Sequence, residues 1–158
     1  MSDFVENQYP RNHFIMTMFN PSRDEARAFL IDAWAKHRSQ QPLSALERTA
    51  AGLIAMHPEY HATFEHPDRH VERDYSPEAG DINPFLHLSL HLAVAEQLAI
   101  DQPPGIRAQF ERLLAARGDE HAALHAVLEC LGEVIWSAQR LRAPPDAALY
   151  LDCLSRQR

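Results

Sequence analysis

Asn83-Pro84-Phe85-Leu86-His87-Leu88-Ser89-Leu90-His91-Leu92-Ala93-Val94-Ala95-Glu96-Gln97-Leu98-Ala99-Ile100 is the stretch that decides the fold. Asn83 is a residue type that caps helices, and Pro84 suits the first helical position, where a missing N–H costs nothing. No breaker follows before Ile100. At about 100° per residue, Phe85, Leu88, Leu92, Ala95 and Ala99 make one apolar face, and Leu86, Leu90, Val94 and Leu98 make most of a second. A helix apolar nearly all round is a central, buried one.

Downstream, the turn Pro103-Pro104-Gly105 precedes a helix with Ile106, Phe110, Leu113 and Leu114 as its inner face, and Gly118 ends it. Asp119 then caps a long helix that reaches about Arg142. Its Leu124, Leu128, Leu131 and Ile135 keep helical spacing, so this helix (about 120–142) is expected to pack beside the central one (about 84–100). Pro144 and Pro145 break the chain before a short terminal helix carrying Ala148, Leu149, Leu151 and Leu154.

Upstream, Ser44 with Glu47 reads as a capping box that opens a helix with Leu46, Ala50, Leu53 and Ile54 on one side. Pro58 stops it, and His57 continues its apolar stripe. Ser22 with Glu25 repeats the signal for a first helix to about His37, with Ala26, Phe29, Leu30, Ala33 and Trp34 as its buried face. A short helix is expected from Pro58 to about Phe64, and residues 65–82, charged and punctuated by Pro67, Pro77 and Gly80, read as a surface loop. No segment alternates with period two. The expectation is an all-α bundle of five or six helices, with residues 1–17 as a mobile arm and 18–158 as a single helical domain.

A chain of 158 residues buries enough apolar surface to fold without a structural metal. A net charge of −7, with no run of Lys and Arg, repels a phosphate backbone and argues against nucleic acid. No apolar stretch approaches the roughly 18 residues of a membrane helix, and Met1 to Asn20 lack the apolar segment of a signal peptide. The expected location is the cytoplasm. Cys130 and Cys153 lack the Cys-x-x-Cys spacing of redox or zinc pairs, and both are expected to be reduced thiols.

Ten histidines is a large number for this length, and eight fall in His-x-x-x-His pairs: 57 and 61, 66 and 70, 87 and 91, 121 and 125. That spacing stacks two imidazoles on one helix face, and imidazole nitrogen binds zinc, iron, copper and nickel. His87 and His91 align with Val94 and Leu98 on the central helix. His121 and His125 align with Leu128 and Gly132, where the glycine permits a close approach, so the two pairs are expected to face each other across the bundle. His57 and His61 are placed to complete the shell from the side, with Glu129 as a further ligand or orienting carboxylate and Glu59 and Tyr60 as weaker candidates for acid–base work. His66 and His70 fall in the charged loop and read as solvated. The same spacing also arises when half-buried imidazoles simply bond backbone carbonyls.

Other motifs are missing. There is no His-Glu-x-x-His, no Glu-x-x-His repeat, no Gly-x-Ser-x-Gly around Ser89 and no glycine-rich phosphate loop. Trp34 and Trp136 read as core or edge anchors.

From Met18 onward the chain resembles a proteobacterial family of short proteins known as domain of unknown function 1841. The resemblance is carried by Met18-Phe19-Asn20-Pro21-Ser22-Arg23, His57-Pro58-Glu59-Tyr60-His61, the block from Asn83 to His91, Asp101-Gln102-Pro103-Pro104-Gly105-Ile106, and His125 to Glu133 leading to Trp136. It implies Met18 as the usual start and places the histidines in the family's signature blocks, and it implies no activity.

The function expected from the residues is divalent-metal binding, zinc or iron, in the bundle interior. The ligands are His87, His91, His121 and His125, with His57, His61 and Glu129 completing the shell. The catalytic residues, and whether the chain is an enzyme, stay open. The alternative is a metal-free helical adaptor or subunit that meets a protein partner or a second copy through an apolar patch near Tyr60 and Phe64 or on the terminal helix.

Overall fold

The computed structural model describes residues 23–69, 74–75 and 83–158, and every regular element among them is helical. The elements are α1 (Arg23–Arg38), α2 (Ala45–Ala55), a 3-10 turn (Pro58–Tyr60), α3 (His61–Glu65), a second 3-10 turn (Pro67–Arg69), α4 (Pro84–Ile100), α5 (Ile106–Arg117), α6 (Glu120–Leu141) and α7 (Ala147–Arg156). The chain is thus an all-α helical bundle, as its periodicity predicts. The expected arm (1–17), the cap at Ser22, most of the loop after Arg69 and His70 lie outside the described residues.

The backbone gathers into two compact units, the first ending at Ser89 and the second running from Leu90 to Arg158. In the first unit α1 packs against α2 and α3. Leu30, Ala33 and Trp34 on α1, Ala50, Ala51 and Ile54 on α2, Phe64 on α3 and Phe85 at the start of α4 are all buried. Phe64 meets Phe85 edge to face with centroids 5.3 Å apart. Arg27 is buried as well, with its guanidinium 4.8 Å from the centre of the Phe85 ring and 5.8 Å from that of Tyr75, two cation–π contacts that its place on the Leu30 stripe brings about.

The capping box expected at Ser44 is present: the Ser44 hydroxyl accepts from the Glu47 N–H at 3.2 Å, and the Glu47 carboxylate accepts from the Ser44 N–H at 2.8 Å. Glu47 also takes a hydrogen bond from the Lys36 ammonium, which ties α1 to α2. That bond first, and the Ser44 N–H second, hold the Glu47 carboxyl below its ordinary range.

In the second unit α5 packs on α6 and α7, and α6 packs on α7. Its core is Leu92 and Val94 from α4, Ile106 and Leu113 from α5, Ala123, Ala126, Val127 and Leu131 from α6, and Leu154 from α7. The turn after α4 is fixed by Asp101, whose carboxylate accepts from the Arg107 N–H at 3.0 Å and the Gly105 N–H at 3.3 Å, while the Arg107 guanidinium caps the Leu98 and Ala99 carbonyls. Gly105 (φ +100°) and Gly118 (φ +67°) take the left-handed conformation at the two ends of α5, where a Cβ would be strained. Asp119 caps α6 through the Ala122 N–H, and Asp146 caps α7 through the Ala148 and Leu149 N–H groups.

Four expectations need revision. The second apolar face of α4 is only partly covered: Val94 is buried, but Leu90 and Leu98 are half-buried and Leu86 is exposed. Trp136 is 59% exposed and lies beneath the Arg140 guanidinium, 4.6 Å away, so it is no core anchor. A Cβ on Gly132 would meet nothing within 4 Å, so that glycine brings no neighbour close. Finally, Cys130 and Cys153 are joined in a disulfide with a Cα–Cα distance of 5.7 Å, because each sits on the buried face of its helix and α7 packs on α6 there.

Ser44→Ala is expected to lower the unfolding free energy by about 1 kcal/mol, and Leu113→Ala, at a fully buried site, by about 2–5 kcal/mol, both read by urea denaturation. Because the folded-state pKa of Glu47 is depressed, its contribution to stability is present at neutral pH and lost as pH falls through that value. The stability difference between the parent and Glu47→Gln should therefore be present at neutral pH and close on acidification below about pH 4.

Candidate metal centre

In the second unit the helical repeat puts His91 on α4 opposite His121 and His125 in the first two turns of α6. His91 belongs to the buried surface that also contains Leu88, Leu92 and Val94, and it is 1% exposed. His121 and His125 are half-buried, one turn apart, and share the flank of α6 whose apolar continuation is Leu124 and Leu128. The His91 ring centroid lies 5.8 Å from that of His121 and 5.1 Å from that of His125, while the His121 and His125 centroids are 4.1 Å apart. One nitrogen from each of the three rings lies within 4.8 Å of one nitrogen of each of the others.

The closest approach is Nε2 of His121 to Nε2 of His125, at 2.8 Å. Two lone pairs cannot face each other at that distance. Without an ion, one ring must carry its proton on Nε2 and donate it to the other. A tetrahedral ion bonded to both nitrogens at about 2.0–2.1 Å would hold them about 3.3 Å apart, so a small rotation of the rings exchanges the shared proton for a metal. The donor set consists of neutral imidazoles with no carboxylate or thiolate, which suits zinc, iron, copper or nickel and not calcium or magnesium.

His57 and His87 meet in the first unit. His57 is fully buried and its Nδ1 lies 2.7 Å from the Leu53 carbonyl oxygen, which can only accept, so the proton is on Nδ1. Its Nε2 is left as a lone pair, 3.2 Å from Nε2 of His87. Tyr60 stacks on His57 and meets His87 edge-on, with centroids 5.6 and 5.8 Å away. Burial first, and the neighbouring Glu59 second, push the Tyr60 phenol above its ordinary range, so it stays protonated at neutral pH and acts as a donor rather than a base.

His61 is occupied differently: its Nε2–H donates to the Ile54 carbonyl at 2.9 Å, and its ring packs against Trp34 at 4.7 Å. Glu129, Glu59 and His66 are exposed. Taken unit by unit, the second holds the triad His91, His121 and His125 and the exposed carboxylate Glu129, and the first holds the pair His57 and His87 and the carbonyl-bound His61. On the helices that carry the triad, sequence reasoning missed the 2.8 Å hydrogen bond between Gln97 and Tyr150 and the Cys130–Cys153 bridge. Gln97, a polar residue in an apolar helix, and two cysteines at core-stripe positions were the signals available.

Comparison with protein families gives a match to the domain of unknown function DUF1841 over residues 22–156. The chain belongs to this family. Comparisons with curated proteins and with solved structures give no match.

The backbone acceptors fix two tautomers. Long-range 15N–1H correlation spectra of the metal-free protein at neutral pH are expected to show the proton on Nδ1 of His57 and on Nε2 of His61; the opposite tautomer on either ring would contradict the arrangement described.

Proposed function

We propose that this protein binds one divalent transition-metal ion, zinc or iron, through His91, His121 and His125. The observation that carries the reading is the approach of the His121 and His125 Nε2 atoms to 2.8 Å, with a nitrogen of the buried His91 within 4.8 Å of both. Three imidazoles from two helices leave a tetrahedral ion one further position, for water or another donor. A zinc ion held by three histidines lowers the pKa of a bound water to about 7, which is the chemistry such a site supplies. His61, whose Nε2–H is committed to a carbonyl, and the exposed Glu129 are left out of the proposed ligand set. None of the described helices is long and apolar enough to cross a membrane, and no substrate is assigned.

Elemental analysis by mass spectrometry of untagged protein purified without chelator is expected to find close to one metal ion per chain. Zinc titration of metal-stripped protein should give affinities lowered more than roughly 100-fold by His91→Ala or by His125→Ala, since loss of an outer partner alone costs about 10–100-fold. His66→Ala, at an exposed site, should bind as the parent does. Bound metal should be released on acidification, because protons compete for the same nitrogen lone pairs. Metal-free parent protein that takes up neither zinc nor iron while its circular dichroism stays helical would overturn the proposal.

A further inference from the structure

Helix α7 touches both helices that carry the histidine triad, by two separate fastenings. On α6, Cys130 lies five residues beyond His125 and is bridged to Cys153 of α7. On α4, Gln97 lies six residues beyond His91, and its side-chain oxygen accepts from the Tyr150 hydroxyl of α7 at 2.8 Å. Both fastenings are buried: Cys130 and Cys153 are 0% and 6% exposed, Tyr150 and Gln97 3% and 9%. Burial pushes the Tyr150 phenol far above its ordinary range, so it remains a donor at any physiological pH. From the outside, the Arg112 guanidinium of α5 binds the Leu154 carbonyl at 2.7 Å and the Gln157 carbonyl at 3.1 Å, so α7 stays attached at its C-terminal end when either fastening opens.

Of these links only the disulfide is reversible by chemistry rather than by unfolding. A dithiol reductant can attack the sulfur of Cys153, the more exposed of the two residues, and expel Cys130 as a thiolate that takes up a proton. The reductant's second thiol then displaces Cys153 from the mixed disulfide. Two electrons and two protons pass to the protein, leaving two thiols, and the reductant leaves as a disulfide.

We infer that α7 is a redox-set clasp on the triad: the closed Cys130–Cys153 bridge holds α4 and α6 at the spacing that lets His91, His121 and His125 bind metal, and reduction loosens that spacing. The inference rests on the metal-binding reading above, as the regulation of the same site. The physical reason is preorganisation. Ligands on two helices bind an ion tightly only when the helices are already held at the right distance, and a link between them removes open arrangements from the metal-free ensemble.

The test uses the full-length chain in three forms: oxidised, reduced with a phosphine, and Cys130→Ser with Cys153→Ser. Hydrogen exchange of the metal-free protein, followed by mass spectrometry, is expected to show residues 147–156 losing protection by roughly tenfold or more on reduction, while α1 is unchanged. Zinc affinity is expected to fall roughly tenfold in the reduced and serine forms, and Tyr150→Phe to add a further loss in the reduced protein. Unchanged exchange in α7 overturns the clasp. Zinc bound with equal strength in the oxidised and reduced forms overturns the regulation and leaves the metal site standing. No zinc binding in any form overturns the metal reading and the regulation with it, while the exchange measurement still reports on the clasp. The reduced parent serves as the check on the serine variant, whose fold the substitutions could disturb.

Discussion

The second unit is organised around an imidazole buried in an apolar helix. His91 is 1% exposed with Leu88, Leu92 and Val94 beside it, where an apolar side chain would gain more from burial and a polar one costs free energy unless partnered. Whatever packs against that surface must therefore offer polar atoms at one point and apolar atoms everywhere else. Helix α6 supplies the polar point with His121 and His125 in its first two turns, whose ring centroids lie 5.8 and 5.1 Å from that of His91. The depth of one side chain on α4 accounts for the otherwise odd composition of the start of α6.

The helix ends serve the same geometry. Asp101 and Arg107 close the turn after α4, Gly105 and Gly118 stop α5 at both ends without strain, and Asp119 starts α6 two residues before His121. These caps add little stability individually, but they set where α6 begins and hence which of its residues stand opposite His91. In the first unit the same economy holds for Lys36, Glu47 and Ser44, which join one helix to the next through a single capping box.

The histidines behave in two ways that sequence spacing does not separate. His57 and His61 both bind carbonyls in the last turn of α2, Leu53 and Ile54, the second of which also accepts from the His57 N–H. His91, His121 and His125 meet one another, with ring centroids 4.1 to 5.8 Å apart. An i,i+4 pair says that two rings share a face, but the neighbour of that face decides whether the rings meet carbonyls, each other or water. Glu129 shows the same limit: it follows His125 by four residues, yet it lies on the solvent side of α6.

Much of the fold was legible because it is local. The caps at Ser44, Asn83 and Asp119, the breakers at Pro58 and Pro103 to Gly105 and the stripes on α2, α4, α5 and α6 each depend on residues within a few turns, and the helices begin and end within a residue or two of where these signals put them. Among the seven ligands proposed from the sequence are His91, His121 and His125, whose rings meet, but spacing on one helix did not tell them from His61, which binds a carbonyl, or from the exposed Glu129. Pairing across helices did not follow. That Cys130 meets Cys153, that Tyr150 reaches Gln97 and that Trp136 faces out beneath Arg140 depend on the angle and register at which α7 and α6 pack. A shift of one residue along either helix turns a side chain by about 100°. Local propensity determined the helices and their inner faces; the tertiary structure alone decided which inner faces meet, since that choice is made by the sum of many weak contacts and no single residue encodes it.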